Sequence, residues 1–115
     1  MSNYHGNIGR ISFAVAIASG ATTGTSAVAL NGLLRGYTVV APALVGTITL
    51  TLTDSDGTVL YTKAAIPNNA GTYVYQDATN VPLAIPLSGP MTLTLTTSAA
   101  QTSAQSVTVN ILFSK

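Results

Sequence analysis

Residues that could do chemistry are few in this chain, and the most suggestive lie together as Asp54-Ser55-Asp56-Gly57. Two carboxylates separated by one residue and followed by glycine resemble the opening of an oxygen-rich calcium loop. The later ligands of such a loop are missing, because the next carboxylate is Asp77 and the chain contains no Glu. The same segment is also a strong signal for a β-hairpin turn, since glycine readily adopts positive φ. We therefore predict a turn, with no metal ion and no other cofactor.

Catalytic groups are equally sparse. The single histidine, His5, lies near the N-terminus, and neither a G-x-S-x-G nor a Ser-x-x-Lys motif accompanies the many serines and threonines. Glycoside hydrolysis needs two carboxyl groups across the scissile bond, whereas two of the three carboxylates crowd into one turn. Glycine motifs for binding nucleotides are absent as well. We expect no enzymatic activity and assign no catalytic residue.

Tyrosines are the other binding candidates. A stacking platform for sugars could be formed by four of them, Tyr37, Tyr61, Tyr73 and Tyr75. In Tyr73-Val74-Tyr75 both rings would lie on one face of a strand, because side chains alternate between the faces. Tyrosines also occur in cores and in subunit interfaces, and this is the interpretation that we prefer.

The composition argues against several classes of function. Charged residues make up 6% of the 115 residues, the net charge is +1, and the four basic residues lie far apart. Proteins that bind nucleic acid cluster Lys and Arg against phosphates, so nucleic acid is not an expected partner. Residues 11–34 carry no charge, but polar residues and glycines interrupt them, so no membrane span is expected. The apolar residues 11–18 are interpreted as a strand rather than as a secretory signal.

Apolar and polar residues alternate with period two along most of the chain, which is typical of half-buried β-strands. The clearest segments are residues 11–17, 47–53, 91–96 and 107–113, with Thr as the usual residue of the polar face. Residues 26–35 are interrupted by Gly32 and are also predicted to be extended. Gly and Pro separate the segments at short intervals. The sequence therefore predicts an all-β chain that forms a single antiparallel β-sandwich or jelly roll.

Two details of the sheet stay open at this point. Residues 47–53 and 58–63 are predicted to form a hairpin, but its register depends on the loop. A loop of two or four residues places Tyr61 on the face of Leu52, whereas a three-residue loop places Leu60 there. Prolines recur every four positions in residues 81–90, which predicts a sheet edge or an extended connection because proline cannot donate to a ladder.

The length corresponds to one domain. We divide it into an extended N-terminal arm, residues 1–9, and a β-sandwich domain, residues 10–115. Because the chain carries few charges, electrostatic repulsion gives it little protection against self-association. We therefore expect partners to cover much of its surface. Arg and Tyr are enriched among binding hot spots. The expected interface residues are Tyr4, Arg10, Arg35, Tyr73 and Tyr75.

A family resemblance points the same way. The chain shows, in order, an apolar strand, a G-x-T turn, a loose S-x-A-hydrophobic-x-L segment, a glycine-bounded strand ending near a proline, and a Thr-rich hairpin with S-D-G. This order resembles small virion proteins of tailed bacteriophages, and residues 85–89 and 108–113 are similar in outline. The positions that carry the likeness are Gly20, Thr22, Ser26, Ala27, Val28, Leu30, Gly32, Leu34, Gly36, Pro42, Ser55, Asp56 and Gly57.

The resemblance implies a structural role on the virion. We expect a capsid decoration or cement protein on the capsid surface, with the major capsid protein and copies of itself as partners. The alternative is a carbohydrate-binding or accessory module of a phage tail or fibre, in which the tyrosines and residues 54–57 hold sugar. A coat or fibre subunit that polymerises is a third interpretation, although the chain lacks a basic arm for a surface that faces nucleic acid.

Overall fold

Strands account for most of the chain in a computed structural model that describes residues 8–114. Within those residues the elements are β1 (Ile8–Ile17), β2 (Thr23–Ala41), β3 (Ile48–Asp54), β4 (Val59–Ile66), β5 (Ala70–Val74), β6 (Ile85–Thr97) and β7 (Gln105–Ser114). All pairings between them are antiparallel. The predicted all-β sandwich class is confirmed.

The sheet follows the order β1-β7-β2-β6-β3-β4, and β5 pairs with β2. The strand β2 is long enough to belong to both layers of the sandwich. Its first part, residues 23–34, pairs with β6, and its later part pairs with β7 and β5. A bulge between Leu34 and Gly36 leaves Arg35 as the extra residue where the change takes place. One layer is therefore β1, β7, the end of β2 and β5, and the other is the start of β2, β6, β3 and β4.

The core lies between these two layers. Val109 and Ile111 of the first layer face Leu50, Leu52 and Leu93 of the second across the interior. All are at most 3% exposed, as the alternation of apolar residues requires. Full burial of one such side chain contributes about 1.5–3 kcal/mol, so this interior is the main source of stability.

Threonines occupy the outer face of the second layer. Thr25, Thr94 and Thr51 are directly opposite one another across three strands, and Thr62 of β4 extends the row. The hydroxyl oxygens of Thr51 and Thr62 lie 3.2 Å apart, within hydrogen-bonding distance. This surface, which we call the threonine face, agrees with the predicted polar face of the strands.

The predicted hairpin is confirmed, and its register is set by irregular pairing. Tyr61 lies opposite Leu52, while Val59 lies opposite Thr53, so Leu60 is an extra residue in β4. Residues 26–35 are extended within β2, also as predicted. The edge position predicted for the proline segment is confirmed for Pro86 and Pro90, because β3 pairs with β6 only from residue 91 onward.

The start of the first strand overlaps the predicted arm. Ile8 and Gly9 were assigned to residues 1–9 of the arm, and in the structure they pair with Ser114 and Phe113 as the first residues of β1. The rest of the arm lies outside the described residues. In the described part of the chain, no helix is of the length and hydropathy that crossing a membrane requires.

Candidate functional site: an aromatic docking face

The turn between β3 and β4 uses its carboxylates for its own backbone. The Ser55 amide donates to Oδ1 of Asp54 at 2.8 Å, and the Thr58 amide donates to Oδ1 of Asp56 at 3.0 Å. The Thr58 amide, followed by its hydroxyl, lowers the pKa of Asp56 by stabilising the carboxylate. Gly57 completes the turn with a φ of +90°. Within residues 8–114 no three His, Cys, Asp or Glu side chains come together as a metal site.

Two of the four tyrosines pack against each other, with Tyr37 buried in the core and Tyr61 half-buried beside it. The rings of Tyr37 and Tyr61 meet edge to face, with centroids 5.5 Å apart, and their hydroxyl oxygens are 2.7 Å apart. This pair links β2 of one layer to β4 of the other. Burial, reinforced by the hydrogen bond with Tyr61, raises the pKa of Tyr37. The two rings therefore stabilise the sandwich and are not part of a surface platform.

The other two tyrosines form an exposed pair. Tyr73 and Tyr75 are 58% and 48% exposed, and their rings stack with centroids 5.1 Å apart and an interplanar angle of 27°. The stacking confirms that both lie on one face, as predicted from their spacing. Gly36 lies beside them, and a Cβ at this position would be 3.6 Å from the Tyr73 ring. The same Cβ would be 3.0 Å from the carbonyl oxygen of Val74, so the backbone of β5 lies close to residue 36.

A polar row crosses the same face. Ser12 of β1, Asn110 of β7, Thr38 of β2 and Tyr73 of β5 lie directly opposite one another. Asn110 is only 5% exposed; it accepts a hydrogen bond from the Ser12 hydroxyl and donates one to Oγ1 of Thr38 at 2.8 Å. A buried amide with both groups satisfied holds its neighbours in one arrangement. These hydrogen bonds therefore hold β1, β7 and β2 in register beside β5, which carries the aromatic pair.

The outer surface of the first layer, which we call the tyrosine face, unites three of the predicted interface residues. It consists of Arg10, Ser12, Ala14, Thr38, Val40, Tyr73, Tyr75, Thr108, Asn110 and Leu112. Arg10 lies two residues from Ser12 and is exposed. Three strand spacings of about 4.8 Å separate it from the tyrosines, so the face is about 14 Å wide.

The remaining predicted interface residues are placed differently. Arg35 is exposed at the bulge of β2, next to Gly36 but outside the paired rows of the tyrosine face. Tyr4 lies outside the described residues. The structure thus brings Arg10, Tyr73 and Tyr75 onto one surface and leaves Arg35 at its margin.

A groove opens beside the aromatic pair. It has a volume of about 390 Å³ and lies between the end of β4 and the edge strand β5. Lys63, Gln76 and Asp77 contribute polar groups to its lining, together with the two tyrosines. Asp77 Oδ1 already accepts hydrogen bonds from Thr79 and from the amide of Val81. Lys63 and Gln76 bring an ammonium and an amide group to the lining, and both groups can bind a polar ligand.

Sequence reasoning missed three contributors to this surface. Val40 is 52% exposed, Leu112 is half-buried, and the buried Asn110 forms hydrogen bonds with Ser12 and Thr38. A signal for Asn110 exists, because it occupies a polar-face position in a strand whose other residues are mostly apolar or Thr. The chain matches no protein-family model and no curated protein.

Proposed function

We propose that this chain is a non-enzymatic structural protein of a phage particle, a decoration or cement protein on the capsid surface. It docks on the major capsid protein through the tyrosine face and stabilises the assembled head. The resemblance of the sequence to small virion proteins supports the phage context. The observation that carries the docking role is the exposed, stacked pair of Tyr73 and Tyr75 on a sheet face with a single charged residue, Arg10.

The chemistry of this face suits protein docking. Tyr73, Tyr75 and Val40 expose apolar area, and burying apolar area stabilises a complex by about 25 cal/mol per Å². Tyrosine loses little conformational entropy on docking, and Arg supplies directional hydrogen bonds. One such contact per subunit is weak, but many copies around a shell act together through avidity. The face therefore supports a stabilising role that involves no reaction.

Adding purified protein to capsids that lack it tests this proposal. We expect saturable, stoichiometric binding in co-sedimentation, together with increased resistance of the capsids to heat. A Tyr73→Ala/Tyr75→Ala double variant should lose binding, and Arg10→Ala should weaken it. Thr92→Ala/Thr96→Ala is the matched control, because both residues are exposed on the threonine face. Unchanged binding of the tyrosine variant, or no binding by the wild type, would contradict the proposal.

A carbohydrate-binding role is the second candidate, and the groove beside the aromatic pair favours it. Sugars stack on exposed tyrosine rings, and Lys63 and Gln76 could bind their hydroxyls. Binding to a glycan array that is lost in Gln76→Ala and kept in Arg10→Ala would support this role. Capsid binding that is weakened in Arg10→Ala and kept in Gln76→Ala would support the first, because Arg10 lies on β1 and Gln76 follows β5 at the opposite side of the face.

A further inference from the structure

Three strands within residues 8–114, namely β1, β4 and β5, have a neighbour along only one side. Edge strands expose unpaired amides and carbonyls and are commonly protected by charge, proline, bulges or short length. β4 carries Lys63 and pairs irregularly with β3. Ala65 has a φ of +60° one residue before the strand ends, and Pro67 follows the last residue, Ile66. β5 is only five residues long. Two of the three edges are therefore protected against pairing with another chain.

The third edge lacks these protections apart from one charged residue, Arg10. β1 is ten residues long and pairs with β7 without a bulge from Ile8 to Ile17. It contains no proline and no lysine, and its single charge is Arg10. Ile8 and Ile11 are 46% and 37% exposed, so apolar surface faces solvent on both sides of this strand.

The far end of this edge is covered by the chain itself. A Cβ on Gly24 of β2 would overlap the carbonyl oxygen of Ala16, so the backbones of the two strands touch there. Among residues 8–114, the part of β1 that has no neighbour on this side is therefore residues 8–15. Any partner strand must pair within this stretch.

We propose that β1 pairs antiparallel with β1 of a second copy of this chain, with Ser12 opposite the Ser12 of the other copy. This register keeps Gly9 to Val15 paired and places Ile11 opposite Phe13, so both faces of the sheet continue across the junction. It also places Arg10 of each copy opposite Ala14 of the other copy. The two Arg10 residues are then separated by four residues along the strand direction, about 13 Å. A register centred on Ile11 would halve that separation and bring the like charges together.

A second copy is the occupant that this edge fits best. The edge is apolar on its core side and nearly uncharged, so two identical edges meet without repulsion once the arginines are separated. A net charge of +1 provides no long-range barrier to association. The inference does not depend on the proposed function, since it requires only two copies of the chain.

Single cysteines test the register, because the chain has no cysteine of its own. Cα atoms of directly opposite residues lie about 4.5–5.5 Å apart, within the range of a disulfide. Ser12→Cys should therefore form a disulfide-linked dimer under mild oxidation. Ala14→Cys, on the same strand and face, should not, because its two copies would be about 14 Å apart. Equal cross-linking of the two variants, or none in either, would overturn the proposal.

Charge at residue 14 gives an independent test in the unmodified dimer. Ala14→Glu should strengthen dimerisation and Ala14→Lys should weaken it, each by about fivefold in the dimer dissociation constant, because residue 14 faces Arg10 of the other copy twice per dimer. Thr62→Lys on the edge strand β4 is the matched control and should have no effect. Analytical ultracentrifugation measures the constants. A monomeric wild type, or equal effects of Glu and Lys, would refute the pairing.

Discussion

Single residues in this sandwich act mainly through close approach and hydrogen bonding. Gly24 permits the backbone of β2 to touch the carbonyl of Ala16, and the paired hydroxyls of Tyr37 and Tyr61 join the two layers. Neither site resembles a reaction centre. Each can be altered by a conservative substitution whose effect on stability has a defined sign.

Gly24→Ala should lower the free energy of unfolding by about 1–3 kcal/mol, because the added methyl group meets backbone that cannot rotate away. Gly71→Ala is the matched control. A Cβ at residue 71 meets no atom within 4 Å, and its backbone lies outside the left-handed region, so the change should be neutral or stabilise by about 0.4–1 kcal/mol. Denaturant unfolding measures both. Equal effects of the two substitutions would contradict the close approach.

Tyr37→Phe should cost about 0.5–1.5 kcal/mol through the lost hydrogen bond to Tyr61. It should also change the pH dependence. Burial raises the pKa of Tyr37, so the folded chain keeps this proton while the unfolded chain releases it near pH 10. That contribution to stability is complete below about pH 10 and is lost as the pH rises further.

Unfolding titrations between pH 8 and pH 11 measure this effect. Tyr37→Phe should flatten the alkaline decline in stability. The same slope in wild type and Tyr37→Phe would show that the phenol does not titrate differently on unfolding.

At the scale of strands and turns, side-chain carboxylates fix the backbone of the connections. The connection after β5 is held by Asp77, whose Oδ1 accepts hydrogen bonds from the Thr79 amide and hydroxyl and from the Val81 amide. These donors, the Val81 amide foremost, lower the pKa of Asp77. A single carboxylate thereby orders the turn that follows the tyrosine pair.

Asp77→Ala should loosen this turn and increase hydrogen exchange of its amides. Because the folded pKa is lowered, the stabilisation is present above the ordinary carboxyl value near pH 4 and is lost as the pH falls through the lowered value. Thermal unfolding at pH 7 and near pH 3 should therefore differ less in Asp77→Ala than in wild type. Asp54→Ala, which removes a carboxylate that accepts one amide, is the comparison. An unchanged acid sensitivity would contradict the role of Asp77.

The elements also show what sequence reasoning could predict. Period-two alternation predicted the strands and their buried faces, because burial on one side imposes that pattern directly. The continuation of β2 through the bulge at Arg35, from one layer into the other, was not predictable. A change of layer depends on neighbouring strands that are far away in sequence. The same is true of Asn110, whose partners Ser12 and Thr38 come from β1 and β2. The stacking of Tyr73 on Tyr75 was predictable because it is local.

Folding of the whole molecule depends on the shared core and on pairing between strands that are far apart in sequence. β1 pairs along its full length with β7, so the first and last strands of residues 8–114 meet only after the chain has closed on itself. Such non-local pairings slow folding, and a single shared core favours cooperative unfolding.

Refolding followed by tyrosine fluorescence should therefore take milliseconds to seconds rather than microseconds. Equilibrium unfolding followed by fluorescence and by far-ultraviolet circular dichroism should give coincident transitions. Two separated transitions would indicate that the layers unfold independently, in conflict with a β2 that runs through both.

The pairing of Ile8 with Ser114 has a consequence for the connectivity of the fold. Because these residues lie side by side, a short linker between them would turn β7 and β1 into an ordinary hairpin without moving either strand. The chain could then be cut at the exposed turn of residues 55–57 and given new ends there. Such a circular permutant would keep the order of the strands in the sheet. The pairing of β1 with β7 would then join neighbours in sequence instead of segments at opposite ends of the chain.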